Sequence, residues 1–70
     1  MKNKVLRLNK ELYSYGAISE AVLAFSAISD IRISEEVEYW LCSFFNSKAS
    51  IGRTISEFEN YLIGITSQGA

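Results

Sequence analysis

Two stretches of the chain place apolar residues at intervals of three and four, the spacing typical of the buried side of a helix. In the first stretch these positions are Ile18, Ala21, Val22, Phe25 and Ile28. In the second they are Ile51, Ile55, Phe58, Leu62 and Ile65. We therefore predict two helices, each with one side against a hydrophobic core.

Each predicted helix follows a residue suited to capping it. Ser14 precedes the first helix, and its side-chain oxygen is able to accept a free backbone N–H of the first turn. That helix is expected to end near residues 29–30. The second helix begins either after Ser50 or about one turn later, where Thr54 and Glu57 have the spacing of a capping box. The sequence does not decide between these two starts of the second helix.

Two other segments alternate between apolar and polar residues, as half-buried strands do. In the first, Leu6 and Leu8 share one face while Arg7 lies on the other. In the second, Ile31 and Ile33 alternate with polar neighbours. Each segment predicts a short strand.

A third strand is predicted over residues 37–45, where aromatic residues of high strand preference are frequent. A short polar link, Ser34 to Glu36, separates it from the second strand. The two strands are therefore expected to form an antiparallel hairpin. The link lacks the glycine or asparagine that the tightest hairpin turns favour.

These elements predict a single α+β domain over residues 1–70, with the order β-α-β-β-α and fraying ends at 1–3 and 67–70. A right-handed crossover makes the first two strands parallel, and the third strand fits between them in the order 1-3-2. Both helices then lie on one face of the three-stranded sheet. This two-layer arrangement is ferredoxin-like without the last strand. The edge of the first strand, Val5 to Asn9, is left without a neighbour and is open to another chain.

The third strand is apolar on both faces, although a strand exposed on one side normally alternates. With an even-length turn, the face predicted to lie under the helices carries Ile31, Ile33, Trp40, Cys42 and Phe44. The opposite face carries the predicted partner interface, which consists of Arg7, Arg32, Tyr39, Leu41 and Phe45. Tyrosine and arginine beside large apolar residues are common interface anchors. The alternative is that these residues are ordinary surface side chains.

The composition excludes most catalytic chemistry. The 70 residues include no histidine and one cysteine, so the chain alone builds no zinc finger, disulfide framework or Cys-His nucleophile. Cys42 is expected to be a small buried hydrophobic residue. We therefore predict no catalytic, cofactor-binding or metal-binding residues, no cofactor and no enzymatic activity. A core of this size rarely supplies more than about 3–5 kcal/mol, so stabilisation by association is expected.

Charge and hydropathy narrow the possible partners. Seven Lys/Arg against eight Asp/Glu give a net charge of −1, without the basic excess that phosphate neutralisation requires. We therefore expect no nucleic-acid partner. No stretch approaches the ~18 uncharged apolar residues of a membrane span, and the basic start is not followed by the apolar region of a signal peptide. The expectation is a cytoplasmic protein with no membrane partner.

Three segments resemble a known family. They are Leu8-Asn9-Lys10-Glu11-Leu12-Tyr13-Ser14-x-x-Ala17-Ile18-x-x-Ala21, the hairpin with its tyrosine and tryptophan, and Glu57-Phe58-x-Asn60-Tyr61-Leu62. In these the chain resembles the His-Xaa-Ser system protein HxsD group, small proteins encoded beside radical SAM enzymes and a short His-Xaa-Ser repeat peptide. The resemblance implies an accessory role in peptide modification, through a protein or peptide partner. The alternative is a structural homodimer or higher homo-oligomer whose apolar sheet face joins subunits.

Overall fold

The order strand, helix, strand, strand, helix is found in the structure, a computed structural model that describes residues 4–68. The elements are β1 (Lys4–Asn9), α1 (Tyr15–Ala24), β2 (Asp30–Glu35), β3 (Tyr39–Phe45) and α2 (Ile51–Gln68). The predicted α+β class and element order are confirmed. Of the ends expected to fray, residues 67 and 68 belong to α2, and residues 1–3 and 69–70 lie outside the described part.

The three strands form one sheet in the order β1-β3-β2. β3 is antiparallel to both neighbours, so β1 and β2 run parallel to each other, as predicted. Cys42 lies opposite Leu6 on one side and Ile33 on the other. Because side chains alternate along a strand, this row and every second row beyond it share one face.

That face lies under both helices, and the hydrophobic core is formed there. The buried core residues are Leu8, Ile18, Ala21, Cys42, Phe44, Phe58 and Leu62. The Phe44 and Phe58 rings meet edge-to-face with centroids 5.1 Å apart, which joins β3 to α2. The ring of Phe25, just after α1, lies 5.5 Å from the same Phe58 ring. A row of aromatic contacts thus joins the sheet to both helices.

Serine caps begin both helices. Ser14 has extended backbone angles, and its Oγ accepts the N–H of Ala17 at 3.1 Å. Ser50 Oγ accepts the N–H of Arg53 at 3.4 Å, so α2 takes the earlier of its two possible starts. Thr54 therefore lies inside α2, where its hydroxyl donates to the Ser50 carbonyl at 2.9 Å.

The prediction that α1 continues to residues 29–30 is wrong, because the helix ends at Ala24. Beyond that point two backbone hydrogen bonds join residues three apart instead of four apart. Ser26 N–H donates to Leu23 O, and Ile28 N–H donates to Phe25 O. This tighter turn rotates Ile28 off the buried side, and it is 40% exposed. Periodicity missed the ending because Phe25 and Ile28, both in the turn, continue the apolar spacing of the helix.

The prediction that β3 begins at residue 37 is also wrong, since it begins at Tyr39. Val37 and Glu38 form the hairpin loop, and Val37 is 90% exposed. Glu36 and Tyr39 close the loop through a 2.8 Å backbone bond. Asn46 is the one non-glycine residue in the described part with positive φ, so the loop is not of the positive-φ type that selects glycine or asparagine.

Ser29 joins the two loops at one end of the sheet. It is 3% exposed, its hydroxyl lies 3.1 Å from the Phe45 carbonyl oxygen, and it accepts a 2.7 Å hydrogen bond from the Ser47 hydroxyl. The N–H of Lys48 donates to the Ile28 carbonyl beside it at 2.8 Å. These bonds hold the α1–β2 turn against the β3–α2 loop.

We predict that Ser29→Ala lowers the free energy of unfolding by about 1–3 kcal/mol, because it leaves buried hydrogen-bonding groups without a partner. Urea unfolding measures the change. Ser26→Ala is the matched control, since Ser26 is exposed and its hydroxyl bonds only the nearby Leu23 carbonyl. Equal stability of the two variants would contradict a structural role for Ser29.

Candidate functional site

The second face of the sheet is the candidate site, and we call it the outer face. Its side chains are those of Val5, Arg7, Asn9, Asp30, Arg32, Ser34, Tyr39, Leu41, Ser43 and Phe45, which alternate with the core-facing rows in the observed register. Both described helices pack on the opposite face. All five residues of the predicted interface thus lie on the outer face together. Whether they bind a partner remains a prediction.

Two arginines cover aromatic rings on this face. The Arg7 guanidinium carbon lies 4.3 Å from the centroid of the Tyr39 ring, and that of Arg32 lies 5.9 Å from the Phe45 centroid. Such cation–π contacts contribute about 0.5–1 kcal/mol at exposed sites. They hold the apolar stems of both arginines against the sheet while the charged ends stay accessible.

Arg7 also approaches a carboxylate, with its Nη2 atom 3.5 Å from Glu36 Oε1. The two side chains are 60% and 50% exposed, so this ion pair contributes little stability. Its effect is to reduce the net positive charge at this end of the outer face. Arg32 is in no ion pair within residues 4–68.

The central strand gives the outer face its apolar character. Tyr39, Leu41 and Phe45 are half-buried, because side chains of β1 and β2 flank them on either side. At a rise of about 3.4 Å per residue they form, with Ser43 between Leu41 and Phe45, a ridge roughly 20 Å long. A ridge of this length is long enough to contact an extended segment or the face of another protein.

The sequence interpretation missed a cluster around Trp40, at the end of the core. Trp40 Nε1 donates to the Tyr13 carbonyl at 3.2 Å, and the Tyr15 ring packs against it with centroids 5.4 Å apart. Lys10 Nζ lies 4.6 Å from the Trp40 ring centroid and pairs with Glu35. No short-range pattern joins these residues, since they come from four separate segments.

Cys42 is fully buried in the core, as expected. Burial raises the pKa of its thiol from the ordinary 9.0 to about 11, because the thiolate would lose its hydration. The group is therefore a neutral thiol at physiological pH, which is the unreactive form. The arrangement suits packing and not nucleophilic chemistry.

Two further findings concern the described residues. Residues 4–68 contain no group of three or more His, Cys, Asp or Glu side chains placed to hold a metal ion. Across the same residues, no helix combines the length and the apolar character needed to cross a membrane.

Comparisons with protein-family models, with curated proteins and with solved structures found no match to this chain. Its function is therefore inferred from the outer face and from the sequence resemblance.

The raised pKa of Cys42 predicts a specific pH dependence of stability. The unfolded thiol loses its proton first, so the contribution of Cys42 is complete below about pH 9 and is lost as the pH rises toward 11. We expect the stability difference between wild type and Cys42→Ala to shrink over this range, by at most about 1.4 kcal/mol per pH unit. Taking the difference cancels the titration of other groups. A difference that stays constant from below pH 9 up to pH 11 would show that the thiol is not desolvated.

Proposed function

We propose that this chain is a non-catalytic binding protein that acts as an accessory component of a peptide-modifying system and holds a protein or peptide partner on the outer face. The observation that carries the proposal is an apolar, aromatic sheet face that both described helices leave uncovered. Apolar and aromatic side chains that stay partly exposed together on one face are typical of interaction sites.

The chemistry of the outer face suits a protein partner. Tyr39, Leu41 and Phe45 supply apolar contact area, and aromatic anchors of this type dominate the energy of many interfaces. Arg7 and Arg32 lie against two of these rings and present guanidinium groups to acidic groups of a partner. The ridge therefore combines apolar contact with charged groups at its two ends.

Charge argues against nucleic acid as the partner. Glu35, Glu36 and Glu38 lie at the hairpin end of the sheet, and Glu36 pairs with Arg7. The whole chain carries a net charge of −1. A phosphate backbone would meet repulsion at this end in place of the basic surface on which affinity depends.

The role in peptide modification rests on the resemblance to the His-Xaa-Ser system protein HxsD group. In such a system the radical SAM enzymes would carry the chemistry, and this chain would supply recognition or positioning. The absence of histidine and the burial of Cys42 agree with that division of labour. A cytoplasmic location is part of the proposal.

A second candidate function is a structural homo-oligomer joined through the same face. Val5, which is 57% exposed, adds apolar area to the outer face beside Arg7. Sheet faces of this composition also join identical subunits, and the small core would gain stability from such burial. The two candidates differ in whether the outer face is occupied by a copy or by another protein.

We predict that Tyr39→Ala combined with Phe45→Ala weakens partner binding at least about thirtyfold, because anchor truncation at a buried interface commonly costs 2 kcal/mol or more. The measurement is co-purification with the products of the genes that flank its own, followed by titration of any protein retained. Tyr61→Ala combined with Ile63→Ala is the matched control, since both residues are exposed on α2. Circular dichroism first establishes that both double variants fold.

The outcomes separate the two candidates. Retention of a neighbouring gene product by wild type and control, but not by the outer-face variant, supports the accessory role. A stable oligomer that ignores every neighbour and dissociates in the outer-face variant supports the homo-oligomer. Unchanged oligomeric state and unchanged partner binding in the variant would overturn the outer face as an interface.

The edge of β1 is tested by a pair of variants at one position. The Lys10 N–H donates to Glu38 O, the residue opposite it, so by alternation the N–H of Arg7 points away from β3. Both Arg7→Pro and Arg7→Ala truncate the arginine side chain, but only Arg7→Pro also removes the outward backbone donor. If a partner strand adds to this edge, we expect binding to Arg7→Pro to be weaker than to Arg7→Ala. Equal affinities would exclude pairing at β1.

A further inference from the structure

A groove lies between α1 and the outer edge of β2, and we call it the edge groove. The residues that form it include Tyr15, Val22 and Leu23 of α1 and Ile31, Arg32 and Ile33 of β2. Leu23 is 72% exposed and Tyr15 is 53% exposed. α1 therefore presents a second side here, apolar except for Ser19, in addition to the side that Ile18 and Ala21 bury in the core.

The backbone beside the edge groove carries unpaired hydrogen-bonding groups. Glu36 N–H donates to the carbonyl of Tyr39, its opposite residue in the β2–β3 register. Because bonding alternates along an antiparallel ladder, the even-numbered residues of β2 bond β3 while Ile31 and Ile33 direct their N–H and C=O groups outward. In the sheet formed by residues 4–68, no strand lies on that side.

We propose that the edge groove binds an extended segment of a partner protein, which adds to β2 as a fourth strand. The added strand would bond the outward backbone groups of β2 and direct alternate side chains against the apolar side of α1. This proposal goes beyond the outer-face function, because it concerns the open backbone edge of β2 and the side of α1 above it; Arg32 and Phe45 border both surfaces.

Arg32 defines the chemistry expected on the other side of the added strand. Its guanidinium lies on the outer face and has no carboxylate partner within residues 4–68. Asp30, two positions away on the same face, instead accepts a 2.9 Å hydrogen bond from Asn46. An acidic residue placed opposite Arg32 would gain a cross-strand charge pair. The preferred segment is therefore apolar at alternate positions and acidic between them.

A second copy of β2 fits the same edge poorly. If two copies of β2 pair antiparallel about a two-fold axis, each residue with outward backbone groups must lie opposite another such residue. Two registers satisfy this condition and pair the largest number of residues. One of them puts Arg32 opposite the Arg32 of the copy, and like charges directly opposite are destabilising. The other puts Glu35 opposite Ile31 of the copy, a carboxylate against an apolar side chain. A segment from another protein avoids both conflicts.

The test uses a synthetic probe of this chemistry: an acetylated and amidated heptapeptide with valine at its odd positions and threonine, glutamate and threonine between them. Amide hydrogen exchange by NMR follows the full chain. In the free protein the amides of Ile31 and Ile33 are expected to exchange fast, since they lie on an open edge. The peptide is expected to slow both in a saturable manner, while the amides of Leu41 and Ser43, already in the ladder with β2, change little.

Two control peptides leave the protein unaltered. One carries lysine in place of the central glutamate, and the other carries N-methyl groups on its valines, whose N–H groups would face β2. We expect the lysine peptide to bind about threefold to tenfold more weakly, as loss of a cross-strand charge pair and gain of repulsion imply. The N-methylated peptide is expected to lose binding altogether, because it is unable to donate to the edge.

A protein variant tests the contribution of α1. Leu23→Glu places a charge in the edge groove and is expected to weaken the peptide about tenfold, the loss typical of an interface anchor. Ile63→Glu is the matched control, with a comparable aliphatic-to-glutamate change at an exposed position of α2. Both positions are solvent-exposed, so both variants should fold as wild type by circular dichroism.

Each outcome decides the proposal. Protection of Ile31 and Ile33 that requires the glutamate peptide and an intact Leu23 supports it. Equal binding of the N-methylated peptide, or equal affinity of the Leu23→Glu variant, would overturn it. So would concentration-dependent protection of the two amides without peptide, which would mean that a second copy occupies the edge. Perturbation confined to the outer face would also overturn it, while supporting that face as the site.

Discussion

Every interstrand hydrogen bond of the described sheet involves β3, since β1 and β2 each pair with this strand and not with each other. The strand is therefore held on both edges, and its side chains on one face form the centre of the core. Phe44 and Cys42 are fully buried there. The other elements are arranged around β3. The two helices cover the core face of the described sheet, while its outer face and the outer edges of β1 and β2 stay uncovered.

The class and order of the fold follow from local patterns, whereas the ends of its elements do not. Burial of one side of an element produces a regular spacing of apolar residues in the sequence. This spacing correctly indicated the helix at Ile51 to Ile65 and the strand at Ile31 and Ile33. The end of α1 depends on a change in hydrogen-bond span after Leu23, which leaves no mark in hydrophobicity. Val37 is apolar yet lies at the hairpin tip, because pairing between Glu36 and Tyr39 sets the loop.

The composition of the outer face was predictable because strand parity alone decides it. An even-length loop between β2 and β3 puts Arg32, Tyr39, Leu41 and Phe45 on one side, and the register agrees. The edge groove was not predictable in this way. It depends on where α1 lies relative to β2: the helical spacing leaves Leu23 off the buried side but does not show what it faces, and it is 72% exposed. The same limitation applies to Ser29, whose burial depends on contact with the β3–α2 loop, which is distant in sequence.

The two open edges differ in their electrostatics, and the difference bears on which partner each accepts. Arg7 on β1 already has a carboxylate beside it in Glu36, whereas Arg32 on β2 has none among the described residues. Charged side chains on edge strands oppose pairing with a copy of the same strand, since like charges would face one another. At β2 this opposition acts in the register that sets Arg32 opposite its copy; at β1 Glu36 offsets part of the charge of Arg7, while Lys4 adds a second cation to the strand. A strand of different, acidic sequence would therefore gain most at β2, where it would pair with Arg32, as proposed for the edge groove.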